Sequence, residues 1–246
     1  MKNIYFIADA HLSFKEDEEE KQKRQKLHGF LQYLADNGET RELFILGDLF
    51  DFWFEWYHVV PKYWFPVLYQ LRKLVEAGIT VSFFAGNHDF YTGAYLQKEI
   101  GLRCFTDSYE FEAGGKRFFV AHGDGYAKKD RGYRLLKRII RNPVSIFLFK
   151  TFFPADLGMQ MARLASKSSR KLVNIDKSAW AEEYYAFARE KFRQGYDYMV
   201  LGHLHYPMIR EEDREGKIFL SCGDWMRQFT YGKFDGRHLT LEYWRT

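Results

Sequence analysis

Asp9 and His11, two residues apart, open a series of side chains able to bind cations. The chain continues it with Gly47-Asp48, Gly86-Asn87-His88-Asp89, His122-Gly123-Asp124 and Gly202-His203-Leu204-His205. Carboxylate, carboxamide and imidazole without thiolate favour Mn, Fe, Zn or Mg over copper or iron–sulfur. On an extended strand end, residues at i and i+2 face the same way, so Asp9 and His11 are expected to grip one cation together. Asp48 has two carboxylate oxygens and can bridge two cations. Asn87, His122 and His203 would complete the second, with His205 returning to the first. Two cations roughly 3.5–4 Å apart polarise a phosphoryl group and generate a hydroxide nucleophile between them. Taken singly each piece is weak, since a lone His is more often structural and Asp48 or Asn87 could be ordinary turn residues. Five of the eight histidines nevertheless lie in these motifs. The ordered set makes a dinuclear site the expectation.

Ligands on loops after successive strands converge at one sheet edge, where α/β proteins place their sites. Four motifs follow regular apolar runs, Ile4–Ala8, Leu43–Leu46, Phe118–Ala121 and Tyr198–Leu201; the remaining one follows the less regular Thr80–Ala85. Helices are expected over Glu18–Asn37 and Tyr63–Ala77. Tyr109–Phe111 and Lys116–Ala121 flank Ala113-Gly114-Gly115, a hairpin signal. Residues 126–195 carry no strand pattern and read as helical, broken at Asn142-Pro143 and Pro154. Strands return at Tyr198–Leu201, Met208–Arg210, Lys217–Ser221, Phe229–Phe234 and Leu239–Trp244. The expected architecture is an α/β (α+β) core of residues 1–125 and 196–246, interrupted by a helical cap over 126–195.

A chain of 246 residues with 46% hydrophobic residues and a mean hydropathy of −0.45 can bury a large core. No apolar stretch reaches the ~20 residues of a membrane helix, and Met1-Lys2-Asn3 runs straight into a strand, so no signal peptide is expected. Cys104 and Cys222 form no CxxC pair, which suits a reduced, cytoplasmic setting. The net charge of +4 is unevenly spread: residues 128–171 hold 12 Lys or Arg against Asp130 and Asp156, whereas the remainder holds 25 bases against 31 acids.

The motif series resembles the calcineurin-like metallophosphoesterase superfamily, whose signature D-x-H, G-D, G-N-H-[DE], H, G-H-x-H is matched by Asp9, His11, Asp48, Asn87, His88, His122, His203 and His205. The resemblance implies a four-layer αββα double β-sandwich and two divalent metal ions, Mn²⁺ first, with Fe, Zn or Mg as alternatives. It makes His88 the non-ligand histidine that protonates the leaving oxygen or steadies the phosphate, held by Asp89. A turn residue without catalytic duty is the plainer reading of His88. The wider similarity of Gly47–Trp53, Gly86–Phe90, His122–Gly125 and Gly202–Pro207 is to the UDP-2,3-diacylglucosamine pyrophosphatases of lipid A biosynthesis, a divergent branch especially. By that resemblance, water attacks the α-phosphorus of UDP-2,3-diacylglucosamine and releases UMP and 2,3-diacylglucosamine 1-phosphate. The better-known members have Arg where His88 stands. Asn87, His88 and His203 would touch substrate, and Asp130, eight residues after His122, matches an Asp that binds the glucosamine part. Of the family's R-x-x-S-x-x-x-N-x-x-K, Arg163 and Ser166 fit, while Arg170 and Val173 replace the Asn and Lys; Arg170 could serve a phosphate by its own fork.

The insertion points to lipid. Arg134, Arg138 and Arg141 recur at i, i+4 and i+7, with Leu135, Leu136, Ile139 and Ile140 on another face. That is a basic amphipathic helix suited to an anionic membrane surface, so peripheral association with the inner membrane is expected. The apolar stretch Val144–Phe153 could line an acyl groove or dip into the interface; ordinary cap packing is the alternative. A basic stripe also suits nucleic acid, which is not the expected partner. Phe52, Trp53, Phe54, Trp56 and Tyr57 could wall the mouth, stack on a uracil ring or pack as core. A metallophosphoesterase for a soluble nucleotide pyrophosphate, cyclic nucleotide or other phosphodiester is the competing activity, and a non-catalytic scaffold is disfavoured because no ligand is missing.

Overall fold

Both faces of the central strands are apolar, so each strand must be covered twice. The computed structural model, which describes residues 2–127, 131–161, 177–212 and 216–245, covers them with four layers. The first sheet contains β1 (Asn3–Ile7), β2 (Thr40–Ile45), β3 (Thr80–Phe84), β4 (Arg103–Phe105), β10 (Thr230–Phe234) and β11 (Leu239–Tyr243), in the order β11-β10-β1-β2-β3-β4. The second contains β5 (Ser108–Ala113), β6 (Lys116–Ala121), β7 (Tyr198–Leu201), β8 (Pro207–Glu212) and β9 (Lys217–Cys222), in the order β5-β6-β7-β9-β8.

Strand alternation sorts the side chains between layers. Ile4, Phe6, Phe44, Phe118, Val120, Val200 and Leu220 meet between the sheets. Tyr5, Ile7, Leu43 and Ile45 face outward onto α1 (Glu18–Asp36) and α2 (Phe65–Glu76), which contribute Leu27, Phe30, Leu34, Leu68 and Leu71. On the far side, Phe119, Ala121, Met199 and Leu201 pack under Tyr184, Tyr185, Ala188 and Phe192. A strand buried on both faces reads as a continuous apolar run, which is why these segments are conspicuous in the sequence. Asp17 caps α1, accepting from Glu20 N, and Pro66 sits in the first turn of α2.

Among the described residues, three further helices lie between β6 and β7: α3 (Arg131–Ile140), α4 (Pro143–Phe152) and α5 (Lys177–Arg193). Two expectations bear on them. The first concerns the cap boundary, because α5 supplies the fourth layer of the sandwich through Tyr184, Ala188 and Phe192. The second concerns α3, whose arginines were expected to face a membrane. Arg134 Nη1 donates to the carbonyls of Gly125 and Ala127 at 3.1 and 2.8 Å. Lys137 pairs with Asp124 at 2.9 Å, and Arg141 donates to the carbonyls of Thr106 and Gly86, both at 2.9 Å. Arg134, Lys137 and Arg141 turn inward because loop carbonyls and a buried carboxylate wait there; Arg138, Leu135, Leu136 and Ile139 are left on the outside.

Candidate metal centre

The parallel pairs β1–β2, β2–β3 and β6–β7 send their carboxyl ends to one edge of the sandwich. Asp9, Asp48 and Asn87 arrive there from the first sheet, and His122, His203 and His205 from the second. Hydrogen bonds lock the two sets: His203 N donates to Asp9 Oδ2 at 2.7 Å, and His122 Nδ1 meets the Leu46 carbonyl at 2.7 Å.

Asp9, His11, Asp48, His203 and His205 all have left-handed backbone, with φ of 56°, 42°, 52°, 66° and 49°. Only Phe229 shares that conformation among the other described non-glycine residues. Such strain persists where the surroundings over-determine it, as at ligand clamps. It also corrects the expected cause of the Asp9–His11 pairing. β1 ends at Ile7, so their convergence comes from two left-handed residues flanking Ala10 and not from strand alternation. His203 and His205 repeat the device. Gly47 and Gly86 allow the close approach: a Cβ on Gly47 would strike the His122 ring, and one on Gly86 the Asp48 carboxylate.

Asp9 Oδ1 lies 3.8 Å from His11 Nε2 and 3.6 Å from His205 Nε2. Asp48 Oδ2 lies 3.5 Å from His11 Nε2 and 3.6 Å from His122 Nε2, at the junction of the two groups. His122 Nε2 in turn lies 3.2 Å from both Asn87 Oδ1 and His203 Nδ1. The candidate cation clusters are accordingly Asp9/His11/His205 and Asp48/His122/His203, while His88 gathers with His11 and Asp48. Asp9 Oδ1 and both ring nitrogens of His11 are buried without a hydrogen-bond partner. Orphaned ligand atoms converging at these separations fit divalent cations.

The electrostatics agree. Burial, with Asp48 opposite, holds Asp9 well above the ordinary carboxylate range, and burial pushes Asp48 to about 6. Burial, with His88 nearby, holds His11 well below the usual histidine value; burial and His122 push His203 to about 3. Neutral imidazoles offer lone pairs, and a bound cation supplies the positive charge these carboxylates lack.

The supporting residues are partly unexpected. Asp89 does not hold His88. Its carboxylate accepts from the main-chain N–H groups of Gly86, Asp48 and Phe50 at 2.9, 3.1 and 3.3 Å, tying two ligand loops together. The His88 ring is instead oriented by the carbonyl of Asp51, 3.0 Å from Nδ1. Asp51 Oδ1 also faces His11 Nδ1 at 3.5 Å, and Asp224 Oδ2 faces His205 Nδ1 at 3.7 Å. Such partners fix ring orientation and tautomer in metal sites. A Gly-Asp pair after an apolar run, Gly223-Asp224, was the available signal for Asp224, since it repeats Gly47-Asp48. For Asp124, burial alone would raise the carboxyl, but His122, Lys137 and Arg141 outweigh it and hold it low.

Of the aromatic run, Trp53, Phe54 and Trp56 are buried as core. Phe54 meets Phe149 edge-on at 4.9 Å, and Trp56 Nε1 donates to the Phe153 carbonyl at 3.0 Å, so they fasten α4 to the core. Tyr57 is exposed. Asp130, Arg163, Ser166 and Arg170 lie outside the described residues.

The family profile described as calcineurin-like phosphoesterase matches residues 2–207. The chain is 30% identical over 255 residues to UDP-2,3-diacylglucosamine hydrolase of Porphyromonas gingivalis, covering 97% of this chain and 96% of that protein. It is 30% identical over 240 residues to the protein of that name from Neisseria meningitidis serogroup B, covering 93% and 92%. A solved protein of Thermus thermophilus aligns with a TM-score of 0.46 at 14% identity, covering 99% of both chains. The chain belongs to the calcineurin-like phosphoesterase family and is a metal-dependent phosphoester hydrolase.

Proposed function

We propose that the chain hydrolyses UDP-2,3-diacylglucosamine in lipid A biosynthesis. Water adds to the α-phosphorus, the bond to the bridging oxygen breaks, and the products are UMP and 2,3-diacylglucosamine 1-phosphate. The observation that carries this reading is 30% identity, at nearly full length, to relatives named for that substrate. The metal ligands are Asp9, His11, Asp48 and His205 for one cation and Asp48, Asn87, His122 and His203 for the other, with Mn²⁺ the metal we favour. When bound, the pair supplies Lewis-acid polarisation of the phosphoryl group and a nucleophile at neutral pH.

The remaining work falls to the chain. A carbonyl can only accept, so His88 Nδ1 carries a hydrogen toward Asp51 and the ring donates from Nε2 only as imidazolium. In that form it steadies the phosphate or returns a proton to the leaving oxygen. Asp89 fixes the spacing between the Asp48 and Asn87 loops. Asn87, His88, His203, Asp130, Arg163, Ser166 and Arg170 remain the proposed substrate contacts. We assign α3 and α4 to a cap over this edge and α5 to the core.

No helix among the described residues is long and apolar enough to cross a membrane. On α3 and α4, however, Leu135, Leu136, Ile139, Val144, Phe147 and Phe152 are each at least half exposed. Exposed apolar side chains of this kind suit acyl chains and the surface of a bilayer. They support a cytoplasmic protein held peripherally at the inner membrane. A Mn²⁺-supplemented panel of UDP-diacylglucosamine, UDP-glucosamine and a chromogenic phosphodiester tests the assignment. The diacylated substrate should turn over fastest; equal turnover with and without acyl chains moves the reading to a soluble nucleotide pyrophosphate.

A further inference from the structure

A lysine ammonium is buried against the ligand loop of the first cation. Lys23, on α1, is 5% exposed; its Nζ donates to the His11 carbonyl at 2.6 Å and pairs with Glu20 Oε2 at 2.7 Å. Glu20 is equally buried and accepts from Ser13 N at 3.0 Å and from Ser13 Oγ at 2.8 Å. Arg24 completes the cluster, with Nε on Glu20 Oε1 at 3.1 Å and Nη2 on the Ser13 carbonyl. Three residues of one helix thus grip both ends of the segment from His11 to Ser13.

Two buried ions are a costly way to pack a helix, and apolar side chains of similar volume would serve packing as well. What those could not do is hold main-chain polar groups. His11 has left-handed backbone, its N–H is taken by the Asp48 carbonyl at 2.9 Å, and its own carbonyl goes to Lys23. The carbonyls of the other ligands have weaker partners: Asp9 accepts from Trp225 N, Asp48 from His11 N, and His205 from the Gln228 amide. A hydrogen bond from a charged donor is the stronger kind, and the His11 carbonyl receives one.

We propose that Lys23, with Glu20 as its counter-ion, is a positioning residue for the first cation: it holds His11 in the left-handed conformation that turns the imidazole toward Asp9, Asp48 and His205. The inference rests on the dinuclear reading of the site and deepens it, because it makes the two cation sites separable. Outer-shell partners of metal ligands typically carry 10–100-fold in metal affinity.

The test is Mn²⁺ titration of the metal-stripped full chain, with bound and free ion resolved by electron paramagnetic resonance and the thermal midpoint recorded in chelator. Wild type should take two ions. Lys23→Met should keep one at wild-type affinity and bind the other about 10–100-fold more weakly. Because that variant strands Glu20, a Glu20→Gln/Lys23→Met pair serves as the variant that restores charge balance. The same split at an unchanged midpoint supports the proposal. Two ions at wild-type affinity in the pair, or both sites weakened equally in step with the midpoint, overturn it. Fewer than two ions in wild type would overturn the dinuclear reading itself, and the proposal with it.

Discussion

Left-handed backbone at five candidate ligand positions is the feature from which the site's behaviour follows at the scale of single residues. Each such residue costs on the order of 1–3 kcal/mol and is kept only because bonds such as His203 N to Asp9 and His11 N to Asp48 leave no alternative. Asp48 and His88 should respond differently to substitution. Asp48 Oδ2 stands between two histidine nitrogens, so Asp48→Asn should lower metal content well below two ions per chain and abolish turnover with it. His88 is tied to the site by Asp51 and by its own N–H on Asp48 Oδ1 at 2.8 Å. His88→Ala should therefore keep both metals while kcat falls roughly 10²–10⁴-fold. Elemental analysis beside kcat checks both: metal-replete Asp48→Asn with full activity, or His88→Ala at wild-type rate, contradicts the assignments.

At the scale of elements, most of the basic face of α3 turns inward, against the polarity that a helical wheel suggests. Arg134, Lys137 and Arg141 are spent on Gly125, Ala127, Asp124, Thr106 and Gly86, so the insertion is latched by charge onto loops that also carry Asn87 and His122. The outward apolar face then governs lipid contact. Attraction between exposed charges is screened over ~8–10 Å at physiological salt, but apolar contact is not. Sedimentation with anionic liposomes should accordingly persist at high salt and be lost in Leu135→Glu/Ile139→Glu. Arg134→Glu/Arg141→Glu should instead release the insertion, seen as faster proteolysis within α3 and α4. Binding abolished by salt alone would return the role to the exposed Arg138.

For the whole molecule, the site straddles two sheets, and the apolar layer between them sets its width. Phe44 is fully buried in that layer, stacked with Phe6 at 5.1 Å and with Phe111 at 5.0 Å. Phe44→Ala should cost about 3–5 kcal/mol of unfolding free energy, since a close-packed layer cannot collapse around the lost ring. Below the lowered midpoint, metal content should stay near two ions, because the cross-sheet bonds His203 N to Asp9 Oδ2 and His122 Nδ1 to Leu46 O are separate restraints. Chemical denaturation with metal analysis on the folded fraction measures both.

The amino-acid sequence by itself determined the series of side chains able to bind cations and the strands that precede them. Each motif is a short run of chemistry-bearing residues directly after a doubly buried strand, and both signals are local; β7, for example, spans Tyr198–Leu201 as its apolar run does. The family followed from the same residues. Tertiary structure decided what depends on partners far along the chain. The convergence of Asp9 with His11 comes from left-handed backbone held by the Asp48 loop and α1, which no i, i+2 rule encodes. Asp89 serves Asp48, 41 residues away, instead of the adjacent His88. The direction of Arg134, Lys137 and Arg141 was set by carbonyls and a carboxylate on other loops, and α5 packs on the second sheet's outer face, which needed cover. A periodic pattern shows that a helix has two faces; only the surface it meets decides which one is buried.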